Sequence, residues 1–346
     1  MKDLKNFILT IFLTVFLTFV GLWCASRIFI PKWLTKADNR ASYIIKGFYK
    51  EPKNTIDILF TGNSDVYRGV SPMEIYDKTG MPSYNFVSPG QRIWVGYAML
   101  EEALKYQNPK VVFFNVDEVY YTSDGIGNTH KVYDNMKFGL AKIKGVFDSN
   151  YKNEGRLAHF LPIFTYHDRY KELTIEDFKY AFADYTDYLK GMDLVADTKP
   201  YIDESNYMQH SDGIADIPEK NIVYLNKMKE LCEENDIEFV LLELPSPDSW
   251  NYEKHNSIEK YAKKNDLRFL DLNVIDIDID WEKDTSDGGD HLNIFGAMKV
   301  SDYLSYYLKS NFQLENRKEN EDYSHWNEHL KKYQEFKEKE IDGLQN

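Results

Sequence analysis

Two short runs, far apart in the chain, carry side chains that fit together chemically. Thr61-Gly62-Asn63-Ser64-Asp65 follows a strand-like apolar run, so Ser64 falls at a strand end before a turn into a helix, where a hydroxyl is held exposed near backbone amides. Downstream, Asp284-Thr285-Ser286-Asp287-Gly288-Gly289-Asp290-His291-Leu292-Asn293 sets a histidine among aspartates, just before a helix expected to start near Asn293. A serine nucleophile needs a base to take its proton, and the base needs a carboxylate to fix its tautomer and stabilise the imidazolium. Ser64, His291 and one of these aspartates meet that need. A histidine beside an aspartate is more often a plain surface pair. What favours chemistry is the joint occurrence of both runs at the ends of an α/β domain, in this order. Other signatures fail: the serine run lacks the last glycine of a Gly-x-Ser-x-Gly elbow, and no phosphate-binding glycine loop or zinc helix follows any strand-like run. His325 and His329, four apart near the carboxyl terminus, lack a buried acidic third ligand and are expected at the surface.

The elements that must position these runs show in the hydrophobic pattern. Past residue 40, strand-like runs at 56–60, 83–86, 111–115, 238–243 and 268–272 alternate with helical segments at 92–106, 221–234 and 258–264. Such alternation implies a parallel sheet with ligands at the carboxyl ends of its strands. The α/β domain is expected over 41–313, interrupted at about 120–220 by an aromatic-rich, mostly helical cap. Within that cap, Leu157-Ala158-His159-Phe160-Leu161 and Tyr166-His167-Asp168-Arg169-Tyr170 are candidates to line a sugar-binding cleft over Ser64, although aromatics at helical spacing are more often core. A charged helix is expected over 314–346, with Tyr323, Trp326, Leu330 and Tyr333 on one face that should dock.

Residues 7–26 carry no charge, enough for a helix to cross a hydrocarbon layer about 30 Å thick. With its linker to residue 40, this segment reads as an uncleaved single-pass anchor. The basic residues after it, Arg27, Lys32, Lys36 and Arg40, outnumber Lys2 and Lys5 before it and by themselves put the following domain inside. The signal-anchor layout favours the opposite, an extracytoplasmic domain. Thr10, Thr14, Thr18, Gly21 and Ala25 form a small-residue stripe suited to a helical partner or to lipid alike. With 56 acidic against 42 basic residues the formal charge is -14, so nucleic acid is an unsuitable partner. Two cysteines cannot build a disulfide framework.

Taken together, these features resemble the SGNH or GDSL-like hydrolases, whose first block carries a nucleophilic serine after the first strand and whose last block carries Asp-x-x-His. Ser64 and His291 match those positions, and Asp290-His291-Leu292-Asn293 with Gly296, Ala297 and Lys299 matches the ending of membrane-anchored Gram-positive members. Those members share their architecture with the D-alanyl transfer protein of teichoic acid operons and with polysaccharide acetyltransferases. The resemblance implies a flavodoxin-like three-layer sandwich around a central parallel five-stranded sheet. It also implies an oxyanion role for the amide of Gly90, in Ser88-Pro89-Gly90-Gln91, with Asn63 and Asp117 as further oxyanion or substrate-binding candidates. Two departures stand out. Gly288 occupies the position three before His291, so either the loop bulges and Asp287 serves, or Asp290 turns inward; Asp287 is the expected partner. The family's Gly-x-Asn-Asp is replaced by Asn115-Val116-Asp117-Glu118, in which an ionised Asp117 cannot donate to an oxyanion.

The function implied is a membrane-tethered, extracytoplasmic serine esterase or O-acyltransferase. It would need no cofactor and no metal, and would act on a cell-envelope glycan or polymer, with a multi-pass membrane protein as a possible acyl-transfer partner. The alternative, motivated by Asp117 and the aspartate spacing, is a catalytically inactive binding or assembly subunit.

Overall fold

The computed structural model describes residues 2–31, 41–148, 153–183, 185–202 and 207–343. From residue 32 the expected linker lies outside them. The helix Lys2–Phe29 comes first; an 18-residue window within it has mean hydropathy 2.4 and none of that window is buried against protein. Among the described residues it is the one helix long and apolar enough to cross a membrane.

The described residues build a five-stranded sheet from β1 (Ile58–Thr61), β2 (Ser83–Asn85), β3 (Val111–Asn115), β4 (Glu238–Glu243) and β5 (Arg268–Asp271). Neighbours run parallel in the order β2-β1-β3-β4-β5, the flavodoxin-like order. β1 and β3 are buried from end to end, which is why both read as continuous apolar runs rather than alternating ones. Successive side chains point to opposite faces: Phe113 meets Tyr307 and Phe312, each at 6.4 Å between ring centroids, while Phe114 stacks with Phe239 at 6.1 Å. The helix Pro72–Thr79 packs on Ile294–Asn311, and Ile93–Ala103 packs on Leu140–Asp148 and Glu219–Glu233. Because β2 lies on one side of β1 and β3 on the other, the winding reverses between β1 and β3, and a crevice opens at their carboxyl ends.

Element ends differ from the sequence expectation for local reasons. β1 starts at Ile58 because the amides of Asp57 and Ile58 both donate to Pro82 O, at 3.0 and 3.1 Å. The helix expected at 258–264 spans Tyr252–Asn265, capped by Asn251, whose side chain accepts from Lys254 N; its first turn buries no apolar residue, so periodicity does not mark it. Between β3 and β4 come the helices Ile126–Tyr133, Leu140–Asp148, Ile163–Tyr166 and Ile175–Tyr180, then irregular backbone. That irregular stretch braces both chemical runs: Asp193 N donates to Tyr67 O at 2.8 Å, Ile294 N to Val195 O at 2.8 Å, and Lys199 N to Thr285 O at 3.0 Å.

The helix Ser324–Gly343 docks through buried Trp326 and Tyr333. Trp326 lies against Tyr76 at 5.2 Å between centroids, and Tyr333 OH donates to Glu74 Oε1 at 2.8 Å. His325 and His329, expected at the surface, turn inward instead. His329 is buried, and His325 Nε2 lies 3.5 Å from Glu51 Oε2. Their surroundings explain it: Lys190 Nζ reaches both Glu51 oxygens at 2.7 and 2.8 Å and sits 4.2 Å from the Trp326 ring centroid, with both charged groups buried. Burial pulls the Lys190 ammonium below its ordinary value, while Glu51 opposes that shift.

Removing one member of this pair strands the other charge in the interior. Lys190→Ala should therefore lower the stability of the purified full chain by about 3–5 kcal/mol in urea denaturation. Glu51→Gln combined with Lys190→Met should cost clearly less than the sum of the two single changes. Additive losses would mean the charges do not depend on each other.

Candidate active site

His291 stands in a loop closed on itself just before the helix Ile294–Asn311. Thr285 and Leu292 form an antiparallel bridge, Ser286 N donates to His291 O at 3.0 Å, and Gly289 N donates to Thr285 Oγ1 at 2.9 Å. Gly288 and Gly289 have φ of +91° and +113°, left-handed backbone that favours glycine, and this is how the loop takes up its extra residue. Asp287 thereby folds back on the histidine. Its Oδ1 accepts from His291 N at 2.7 Å, and its Oδ2 lies 2.6 Å from His291 Nδ1. A carboxylate only accepts, so Nδ1 carries the proton and Nε2 of the neutral ring is left as the acceptor. Asp290 Oδ2 is farther from Nδ1, at 3.3 Å, and its side chain is half exposed.

Ser64 opens the helix Ser64–Gly69 at the carboxyl end of β1, after its cap Asn63, whose Oδ1 accepts from Asp65 N at 3.0 Å. Gly62, at φ +138°, is required here because a Cβ would meet Asn115 Cβ at 2.7 Å where β1 and β3 diverge. Ser64 is half-buried. Among the described residues no hydrogen bond joins it to His291. The group facing His291 Nε2 is Asp65, with Oδ1 at 3.8 Å.

Burial opposes the His291 imidazolium, but the Asp287 hydrogen bond and the charges of Asp65 and Asp290 outweigh it and hold the ring above the ordinary histidine value. Burial pushes the Asp65 carboxyl well above the usual carboxylate range; His291 pulls it down, while Asp117 and Asp290 push it further up.

The other candidates each have partners of their own. Asn63 Nδ2 donates to Tyr121 OH at 2.8 Å. Asp117 is buried, its Oδ1 paired with Lys254 Nζ at 2.9 Å and its amide donating to Glu243 Oε2 at 3.0 Å. Gly90, at φ +49°, sits in the loop after β2 against Asn128, and Arg92 donates to its carbonyl. Asp65, Tyr121, Glu243 and Lys254 belong to this neighbourhood, yet the two sequence runs single out none of them; the one available signal was that Asp65 directly follows Ser64. Beside Asp287 opens a cavity of about 640 Å³ bounded by Arg68, Leu194, Ala196, Ser286 and Lys339.

The aromatic runs that are candidates for a cleft, with core as the commoner alternative, make contacts within the cap. His159 stacks on His130 at 4.0 Å between centroids, and Tyr166 OH donates to Asp134 Oδ2 at 2.8 Å, so both runs are engaged inside the cap. Among the described residues, two groups bring ligand atoms within 4.8 Å of one another: His130 with Asp134 and His159, and Asp65 with Asp290 and His291. The first suits a cation poorly, since its imidazole rings are stacked and the charge of Lys142 acts on His159.

No family model and no curated protein matches the chain. Among solved structures it is similar to a Bacteroides fragilis protein assigned as an acylhydrolase, at 13% identity over 82% of this chain and 100% of that one, with TM-score 0.39. A GDSL-like lipase from Bacteroides thetaiotaomicron is 14% identical over 73% of this chain and 87% of its own, with TM-score 0.35. A Desulfitobacterium hafniense protein assigned to the lipolytic G-D-S-L family is 14% identical over 73% and 99%, with TM-score 0.37.

The Asp287 contact sets a titration. With histidine side chains labelled for NMR, His291 should titrate above the ordinary value of about 6.5. Asp287→Asn should lower its pKa by more than Asp290→Asn does. Because the folded pKa is the higher one, the stabilisation from this contact is complete below the unfolded histidine pKa and is lost as pH rises through the folded pKa. Equal shifts in the two variants would make Asp290 an equal partner.

Proposed function

We propose that this chain is a membrane-anchored serine esterase or O-acyltransferase whose domain lies outside the cytoplasm and acts on a cell-envelope polysaccharide or polymer. The observation that carries this reading is the 2.6 Å contact between His291 Nδ1 and Asp287, which leaves Nε2 as an acceptor beyond the carboxyl end of β1, where Ser64 opens a helix. In the reading, Ser64 Oγ attacks the ester carbonyl carbon and its proton passes to His291 Nε2. The tetrahedral intermediate collapses to acyl-Ser64, and the departing alkoxide takes the proton back. Water or a sugar hydroxyl then gives its proton to Nε2 and attacks the acyl carbon, and as the second tetrahedral intermediate collapses the departing Ser64 Oγ takes that proton back. The acceptor alone separates hydrolysis from transfer. The apolar helix Lys2–Phe29 supports the anchor, and its exposed stripe of Thr10, Thr14 and Thr18 gives a multi-pass acyl-donating protein a face to meet.

A second reading, an inactive binding or assembly subunit, is favoured by one observation: Asp65 faces His291 Nε2, and Ser64 makes no hydrogen bond to that ring among the described residues. Turnover of a short-chain acyl ester by the detergent-purified chain separates the two. On the enzyme reading, Ser64→Ala and His291→Ala each lose about a thousandfold or more in kcat while the chain still folds by circular dichroism, because they act as one unit. Equal rates in wild type and both variants would establish the inactive subunit. Protease added to wall-stripped cells should digest the domain beyond residue 40; full protection would place it inside and remove the envelope substrate.

A further inference from the structure

The apolar helix does not leave the domain cleanly; its last two turns are gripped by the cap. The Trp23 and Phe182 rings pack at 5.9 Å between centroids. Ser26 Oγ accepts from Ile163 N at 3.2 Å, Arg27 Nε donates to Ala181 O at 3.0 Å, and the Arg27 guanidinium lies 5.8 and 5.9 Å from the Trp23 and Phe182 rings. Arg169 donates to Phe29 O. Both Ile163–Tyr166 and Ile175–Tyr180 touch the helix.

These contacts fix a depth. The uncharged run ends at residue 26, and at a rise of 1.5 Å per residue Trp23 lies about 5 Å inside that end. Groups packed sideways on Trp23 and Ser26 share their level, which for a spanning helix is the boundary between acyl chains and headgroups. This part of the cap also leaves large apolar side chains uncovered by protein: Ile175 is 81% exposed, Phe182 53%, Phe178 52% and Phe164 51%. Ile175 and Phe178 are three apart on one short helix and so share a side of it. Between residues 163 and 182, Arg169, Lys171 and Lys179 nearly balance Asp168, Glu172, Glu176 and Asp177. Attraction to anionic lipid therefore does not explain the patch, whereas apolar burial does.

We propose that residues 163–182 are seated in the interfacial layer of the bilayer that Lys2–Phe29 spans, so that the domain is held to the membrane by two joined pieces rather than hung from one helix. This rests on the membrane anchor assigned under the proposed function. The lipid surface covers Phe164, Ile175, Phe178 and Phe182, and seating depends little on lipid charge. The domain then has a fixed tilt and height, and the sheet edge bearing Ser64 and His291 works at a set distance from the membrane.

The test uses the full chain in phosphatidylcholine nanodiscs, with Cys24→Ala and the buried Cys232 retained. A polarity-sensitive dye is attached at Phe178→Cys or, as an independent second position, Ile175→Cys. Phe12→Cys is the reference inside the helix, and Tyr306→Cys, at a site 69% exposed on the helix Ile294–Asn311, is the water reference. The quencher is a lipid brominated near the top of its acyl chains. Dyes at 175 and 178 should be blue-shifted relative to 306 and lose about half of their emission to the brominated lipid, in low salt and in about 0.5 M salt alike. Quenching at 12 with none at 175 and 178 would overturn the seating and leave the anchor standing. No quenching at 12 would remove the anchor, and the seating with it.

Discussion

Carboxyl groups crowd the carboxyl edge of this sheet, and their burial is the constraint the rest of the site answers to. Asp65, Asp117, Glu118, Glu243 and Asp271 are all buried there, and an interior of low dielectric does not hold so many unpaired anions. The chain meets the demand in different ways. Lys254 takes Asp117, Trp250 Nε1 donates to Asp271 at 2.9 Å, and His255 Nδ1 lies 2.7 Å from the same carboxylate. Burial holds Glu118 and Glu243 well above the usual carboxylate range, which favours their neutral forms. Asp65 is left facing His291.

That arrangement gives His291 a double character. An acidic surrounding favours the imidazolium, the form a base reaches after accepting a serine proton. The same field lowers the fraction of ring that is free to accept near neutral pH. The loop strengthens the first effect by binding Asp287 to both the amide and the ring of His291, so the side chain that orients the ring also favours its charged form.

Ser64 and His291 were legible in the sequence because each stands at a boundary between an apolar run and a helix start, and such boundaries are local. The choice between Asp287 and Asp290 was not decided by spacing, since it turns on the backbone of Gly288 and Gly289. The five strands could be read because parallel strands covered on both faces are continuously apolar. The partners Lys254 of Asp117 and Tyr121 of Asn63 could not, because they arrive from 137 and 58 residues away. The inward-facing histidine His325 meets Glu51, whose partner Lys190 lies in irregular backbone that periodicity cannot place. The cap aromatics were legible as aromatics but not as to what they face, because the helices that carry them are short and pack on one another and on the N-terminal helix.

The docked carboxyl-terminal helix also imposes an order in time. Arg317 pairs with Asp57 and Tyr333 with Ser71 across separations of 260 and 262 residues, and Trp326 supplies the aromatic face over the buried ammonium of Lys190. A ribosome adding about 5–20 residues per second delivers those partners only after all five strands. Until they emerge, the seam beside β1 stays open and the Glu51–Lys190 pair stands in water rather than under a ring. Closure of this domain thus follows synthesis of its last strand, and a chain cut short before Trp326 keeps every strand of the sheet yet has nothing to shut that seam.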